Sequence, residues 1–223
     1  KGKEIHVLDL TKGGYRAAAG AVAAEVQAIL EEKHPGEQLS KLRASPHPQA
    51  QFLWAILRDL FHYSAVHRAE IAHSARDVDF AIRWGFGWQR GPFELWQAAG
   101  WQKVAAMIAE DIAAGKAMAK APLPKWVTDG RQGVHGPDGS YSAATGKMVA
   151  RSTLPVYARQ LFPETLLGER PAERGVTVFE DGGVRLWHQG DGIAIVSFKS
   201  RMHTLGIEVL LGLNRALDEA ERH

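Results

Sequence analysis

Asp77-Val-Asp79-Phe-Ala-Ile-Arg-Trp84-Gly85-Phe-Gly87-Trp88-Gln-Arg-Gly91-Pro92-Phe93-Glu94-Leu-Trp96 is the stretch that decides the fold. Asp77 is suited to cap a helix running through Trp84, because its carboxylate accepts from the free amides of a first turn. Gly85 is the expected left-handed stop, so a branched residue there should cost more than about 1 kcal/mol. Gly91-Pro92 then opens a second helix, with proline where an amide would go unpaired and Glu94 at the positive end. Gly100 ends it, and Trp101, Val104, Ile108 and Ile112 carry a third helix to Gly115. Short helices punctuated by glycine predict an all-helical core.

Upstream, Phe52, Leu53, Ile56, Leu57, Leu60, Phe61 and Val66 recur at threes and fours between Gln49 and Ser74. They cover most of a circumference, which predicts a central, well-buried helix. Residues 17 to 33 are alanine-rich and stop at Pro35-Gly36, a further expected helix; Ile5, Val7 and Leu10 read as a strand entering a turn at Lys12 to Tyr15. Downstream, prolines 122 and 124 and the pairs Asp138-Gly139 and Thr145-Gly146 mark turns, with a loose hairpin from Tyr141 to Val149. Pro155, Pro163 and Pro171 read as a linker. Beyond Gly175 the period becomes two, giving strands at Val176/Val178, Val184/Leu186 and Ile193/Ile195/Phe198, then a helical stripe at Ile207, Leu210, Leu211, Asn214 and Leu217. Four spans follow: 1–36 leading in, 37–120 helical, 121–172 hairpin and linker, 173–223 strands and a helix, with two organisational units divided near residue 170. The fold class is mainly α with a small antiparallel β region near the C-terminus.

The 223 residues are 45% apolar and 23% charged, without cysteine. That composition fits a globular chain and excludes a disulfide-stapled one. Lys and Arg number 27 against 25 acidic residues, so no strong field for nucleic acid or membrane arises. The longest apolar runs, such as Ala17 to Ala24, fall far short of the roughly 20 residues a membrane helix needs. No signal peptide is visible, which makes the cytoplasm the expected location. Lys1 is not methionine and the chain stops inside a helical pattern, so a piece of a longer polypeptide is expected.

Motifs for chemistry are incomplete. Gly85, Gly87 and Gly91 spell G-x-G-x-x-x-G, yet Phe86, Trp88 and Arg90 crowd a loop that must approach a pyrophosphate, and Pro92 removes an amide a phosphate would use. A helix–helix connection is the better reading. His67, Glu70 and His73 fan over about 120° of a helix, too wide for one metal ion without other helices. Asp59, His62 and Ser64 lack the elbow that presents a nucleophile, and Gly139 with Gly146-Lys147 has the wrong spacing for a phosphate loop. The seven tryptophans, among them Trp54, Trp84, Trp88, Trp96 and Trp101, are expected in the core. Catalytic, cofactor-binding and metal-binding residues are therefore expected to be none, and a nucleic-acid partner is not expected.

The Asp77–Trp96 stretch resembles the signature of the helical C-terminal domain of 3-hydroxyacyl-CoA dehydrogenases, with a D-x-D-x-A helix, a G-x-G turn and a G-P-F helix start in that order. Asp77, Asp79, Gly85, Gly87, Gly91, Pro92, Phe93 and Trp96 carry it. Gln97 stands near where many relatives have aspartate. Val184 to Trp187, Gly192 to Phe198 and Leu205 to Glu221 are similar to the opening strands and first helix of an enoyl-CoA hydratase (crotonase) domain. The pair looks like the bifunctional β-oxidation proteins in which the dehydrogenase comes first, with residues 40 to 120 as the second helical repeat and the opening residues as the exit from the first.

The resemblance implies NAD-dependent oxidation of 3-hydroxyacyl-CoA, with NAD held by a Rossmann domain outside this stretch. The family's histidine and glutamate would lie there too, its asparagine in the first repeat, and the crotonase glutamates after residue 223; the only asparagine here is Asn214. The implied partners are a CoA thioester, the Rossmann domain, the first helical repeat and a second subunit. The implied roles are wall of the acyl pocket or structural interface, with no catalytic residue.

Overall fold

The computed structural model describes residues 5–18, 20–158, 160, 163–169 and 175–222. The chain divides into two compact units, Lys1–Ser152 with Thr165–Arg170, and Thr153–Glu164 with Pro171–His223. The expected boundary at residue 172 lies outside the described residues, as do Lys1 to Glu4 and Pro171.

The first unit opens with a hairpin, β1 (His6–Asp9) and β2 (Gly14–Ala17), turned by Asp9, whose carboxylate accepts from Thr11 N and Lys12 N. This second strand takes the start of the expected helix 17–33, which shrinks to α1 (Ala24–Leu30). Pro35 opens α2 (Pro35–Ala44) and does not stop a helix, since its missing amide costs nothing at a first position. Helix α3 (Pro48–Ile71) is the longest, α4 spans Ala75–Phe86, α5 Pro92–Ala98 and α6 Trp101–Ala113.

Helix α3 is less sheathed than its apolar spacing implies. Its inner face carries Trp54, Phe61 and Ala65 together with Arg58, His62 and Arg68, whereas Phe52, Ile56 and Tyr63 are exposed. The core is aromatic: Trp96 and Trp101 stack at 4.4 Å, Phe61 lies 5.6 Å from Trp96, and Phe93 meets both tryptophans. The two stacked indoles each find a backbone carbonyl, Trp96 Nε1 donating to Trp101 O and Trp101 Nε1 to Val127 O, both at 2.9 Å.

Residues after α6 close this core. Val127 and Val134 are buried, and β3 (His135–Gly136), β4 (Gly139–Ser142) and β5 (Lys147–Val149) form an antiparallel sheet whose Tyr141 is buried as well. The expected hairpin lies here. Part of the expected linker also belongs to this unit, because Leu166 is buried and Glu169 is clasped by Arg76 and Arg151.

In the second unit, α7 (Pro155–Ala158) precedes an antiparallel meander of β6 (Val176–Glu180), β7 (Val184–His188) and β8 (Ala194–Phe198). Asp181 makes the first turn by accepting from Gly183 N and Val184 N at 2.9 Å. Helix α8 (Ile207–Ala220) covers one face, setting Val209, Leu213 and Ala216 on Phe179, Val184 and Leu186. The described residues are thus mainly α with small antiparallel sheets, and no helix among them is long and apolar enough to cross a membrane.

Candidate functional site

Asp79, Gly91, Phe93, Glu94 and Trp96 gather at a buried corner between α4, α5 and β3–β4. Ser74, not Asp77, caps α4: Asp77 sits three residues on and returns a bond to Ser74 N at 2.8 Å, so the two close a capping box. The helix passes through Gly85 and ends at Phe86, and the left-handed residue is Gly87, with φ of 69°. Gly85 is therefore not the stop expected from the sequence. It is helical, with open space where a side chain would project, so the expected strain penalty does not apply there.

Asp79 carries the corner. It has no solvent exposure, and its carboxylate accepts from Phe93 N at 2.8 Å and Glu94 N at 3.1 Å, the first-turn amides of α5. One helix thus caps the next. Gly91 precedes that turn and has no side chain to cap with; a methyl there would run into Asp79. Pro92 needs no acceptor, and Glu94 reaches back to Gly91 N at 3.1 Å. The spacing D-x-D to G-P-F is the spacing of a cap supplied from a neighbouring helix.

The third partner of Asp79 is His135 on β3, Nε2 lying 2.6 Å from Oδ2, with Nδ1 2.8 Å from Ser140 Oγ on β4. His135 and Ser140 are buried. Burial pushes the Asp79 carboxyl up, and the imidazole partly offsets that rise. Serine, histidine and aspartate meet here in a hydrogen-bonded chain, yet the carboxylate also accepts from two α5 amides and the Ser140 hydroxyl is buried away from solvent. The arrangement ties three elements together instead of presenting a nucleophile. Sequence spacing hides it, because 56 residues separate Asp79 from His135.

Gln97 reinforces the same join. Its Oε1 accepts from Val134 N at 2.8 Å and His135 N at 3.0 Å, and its Nε2 donates to His135 O at 3.0 Å. An amide offers donor and acceptor together, which a carboxylate at this position could not. Glu94 accepts from Leu167 N at 3.0 Å, and Glu169 holds Arg151 at 2.7 Å together with Arg76. Arginine partners keep the Glu169 carboxyl below its usual range although burial alone would raise it.

The other candidates are not assembled. His67 Nδ1 lies 3.3 Å from Glu70, and among the described residues no group of three or more His, Cys, Asp or Glu is placed to hold a metal ion. His62 Nε2 meets Ala121 O at 2.7 Å, so that nitrogen carries the proton; Asp59 is taken by Arg58 and Met118 N, and Ser64 is turned about 200° from His62 around α3. Tryptophan placement divides. Trp54, Trp96 and Trp101 are buried, but Trp84 is 64% and Phe86 74% exposed, and Trp88 is exposed beside them. Trp84 and Phe86 lie in the last turn of α4, and Trp88 stands just beyond its end.

The G-x-G-x-x-x-G residues do not fit a dinucleotide. They join two helices, with no strand before them, and the α5 amides that a pyrophosphate would seek already serve Asp79.

Comparison with known proteins gives one finding. All 223 residues are similar to a segment of "Probable 3-hydroxyacyl-CoA dehydrogenase" of Bacillus subtilis (strain 168), at 25% identity. The chain spans about a quarter of that relative's length, the match covering 27% of it. No family model matches, and no solved structure does.

Proposed function

We propose that this chain is a non-catalytic helical part of a 3-hydroxyacyl-CoA dehydrogenase, a domain of that enzyme's C-terminal helical type corresponding to the second repeat. The parent would oxidise 3-hydroxyacyl-CoA to 3-oxoacyl-CoA with NAD in cytoplasmic fatty-acid β-oxidation, and would also hydrate enoyl-CoA. The observation that carries the reading is the use made of the D-x-D, G-x-G and G-P-F residues in a chain similar along its whole length to such an enzyme. Asp79, Glu94 and His135 at their corner are buried and each is held in hydrogen bonds within the fold, which leaves hydride transfer and NAD binding to other parts of the parent. The second unit supports the hydratase portion: it has a three-stranded meander under one helix, and Ile207, Leu211 and Leu217 on that helix are exposed.

Two roles remain for the helical unit, wall of an acyl-CoA pocket or interface. The exposed Trp84, Phe86 and Trp88 favour the interface, since aromatic residues and arginine are enriched in interface cores and Arg90 follows them without an intervening acid. The first helical repeat of the parent, or a second subunit, would be what they meet.

Sequencing the coding DNA on both sides of this stretch tests the assignment. A strand–turn–helix unit with G-x-G-x-x-G upstream and crotonase glutamates downstream is the expected result. A start codon directly before Lys1 and a stop directly after His223 would overturn it.

A further inference from the structure

Helix α3 has a second apolar face. Phe52, Ile56, Leu60, Tyr63, His67 and Ile71 lie within about 100° of its circumference, on the side away from Trp54, Phe61 and Ala65. Phe52 is 65%, Ile56 44%, Tyr63 54% and Ile71 52% exposed. Apolar residues recurring at fours and threes along a helix ordinarily pack on something, and a contiguous exposed apolar patch marks an interaction site. Bare charge is missing from this face: of the two acids on α3, Asp59 is held by Arg58 and Met118 N, and Glu70 lies against His67.

Beside the stripe, the chain that follows α6 builds a notch. Met118 N donates to Asp59 Oδ1 at 3.2 Å and His62 Nε2 donates to Ala121 O at 2.7 Å, which fixes residues 118 to 121 along α3. An open hollow of about 60 Å³ remains, walled mainly by apolar atoms, with Tyr63, Val66, His67, Met118 and Ala121 among its lining. A water occupies about 10–15 Å³ of such a space, so the hollow has room for the end of one branched aliphatic side chain. Met118 is itself 82% exposed.

We propose that this face of α3 pairs with the same face of a second copy of the chain, the two helices antiparallel about a two-fold axis beside Leu60, each placing Ile56 in the notch of the other. The stripe is built to pair with itself. Ile56 stands one turn before Leu60, and the notch centres about as far beyond it, at Tyr63, Val66 and His67, so a single two-fold rotation fills both notches. Phe52 then comes opposite the far end of the stripe, toward Ile71. Fully covered, Phe52, Ile56, Tyr63, Ile71 and Met118 alone would remove on the order of 600 Å² per copy from water, most of the roughly 800 Å² that each partner contributes to a standard interface. Their types also fit, since aromatic residues and methionine are enriched in interfaces and lysine and acids depleted. The face shares no residue with Trp84, Phe86 and Trp88, and the inference does not depend on the dehydrogenase assignment.

Interfaces of standard size bind in the micromolar range or tighter, so sedimentation equilibrium of the chain from about 1 to 300 μM should show a twofold rise in mass. Ile56→Glu, at a half-exposed position outside the core, should keep the helical spectrum and the melting temperature yet weaken association at least about tenfold, because it places an unpaired charge in the notch. Trp88→Ser should leave association unchanged. The chain has no cysteine, so a spin label at Glu70→Cys reads the pairing: antiparallel helices crossing at Leu60 put the two labels of a dimer about 30 Å apart, and parallel ones less than about 20 Å. A mass that stays monomeric throughout, association that survives Ile56→Glu or is lost with Trp88→Ser, or labels at the shorter distance would overturn the proposal.

Discussion

Gly85 and Gly91 lie six residues apart in one motif, and their surroundings are opposite. Gly85 is inside α4 with open space beyond its α-carbon, while Gly91 is pressed against Asp79. The stretch between them, Trp84 to Arg90, is exposed throughout, whereas Gly91 to Glu94 is buried. A run of residues that looks uniform as a signature thus has two functions. Its flanks, around Asp79 and Gly91, build the fold, and its middle is surface.

The sharpest way to break that division is at its centre. Asp79→Ala should cost about 3–5 kcal/mol in urea unfolding, because it strands His135 and the two α5 amides together, and each buried hydrogen-bonding group left unpaired costs about 1–3 kcal/mol. A loss below 1 kcal/mol would mean that α5 does not depend on the neighbouring helix for its cap. Gly91→Ala comes next, at about 1–3 kcal/mol, as the added methyl must displace Asp79.

An acid limb separates buried carboxylates from exposed ones. Burial of Asp111 would raise its carboxyl, but Trp54, Arg43 and Arg58 outweigh that and hold it below the usual range. A carboxyl lowered by folding stabilises the protein above its unfolded value and loses that contribution as pH falls through the lower folded one. Stability should therefore drop as pH falls below about 4, and Asp111→Asn should flatten the drop while lowering stability at neutral pH. Thermal melts across that range check it.

At the surface the effects shrink. Phe86→Ser and Trp88→Ser should each shift stability of this chain by less than about 0.5 kcal/mol. Gly85→Ala should stabilise by up to about 1 kcal/mol, the difference in helix propensity between the two residues.

The comparison also separates what was legible in the sequence from what was not. Helix starts at Pro92 and after Gly100, the C-terminal meander and α8 follow local rules, and these elements stand where the residues place them. Position within a helix was harder. Gly85 and Gly87 are both plausible stops in a sequence, and only the path of the chain selects the second. Asp77 is a good cap residue taken alone, and only the Ser74-x-x-Asp77 spacing, the signature of a capping box, moves the start to Ser74. The contribution of Asp79, His135 and Ser140 depends on a contact across 56 residues that no period reveals. Periodicity likewise overstates burial on α3, where apolar spacing includes Phe52 and Ile56 on the outer side while Arg58 and Arg68 face inward. The buried arginines run against composition, and Arg58 and Arg76 reach Asp111 and Glu169 from far away in sequence.

Equilibrium unfolding of Gly85→Ala beside Gly91→Ala most directly tests the claim that the motif is a folding corner with an open middle. Opposite signs are predicted, a small gain at Gly85 and a loss of at least about 1 kcal/mol at Gly91. A loss of similar size at both positions would show that the turn between them is as tightly built as its flanks, and would contradict the division.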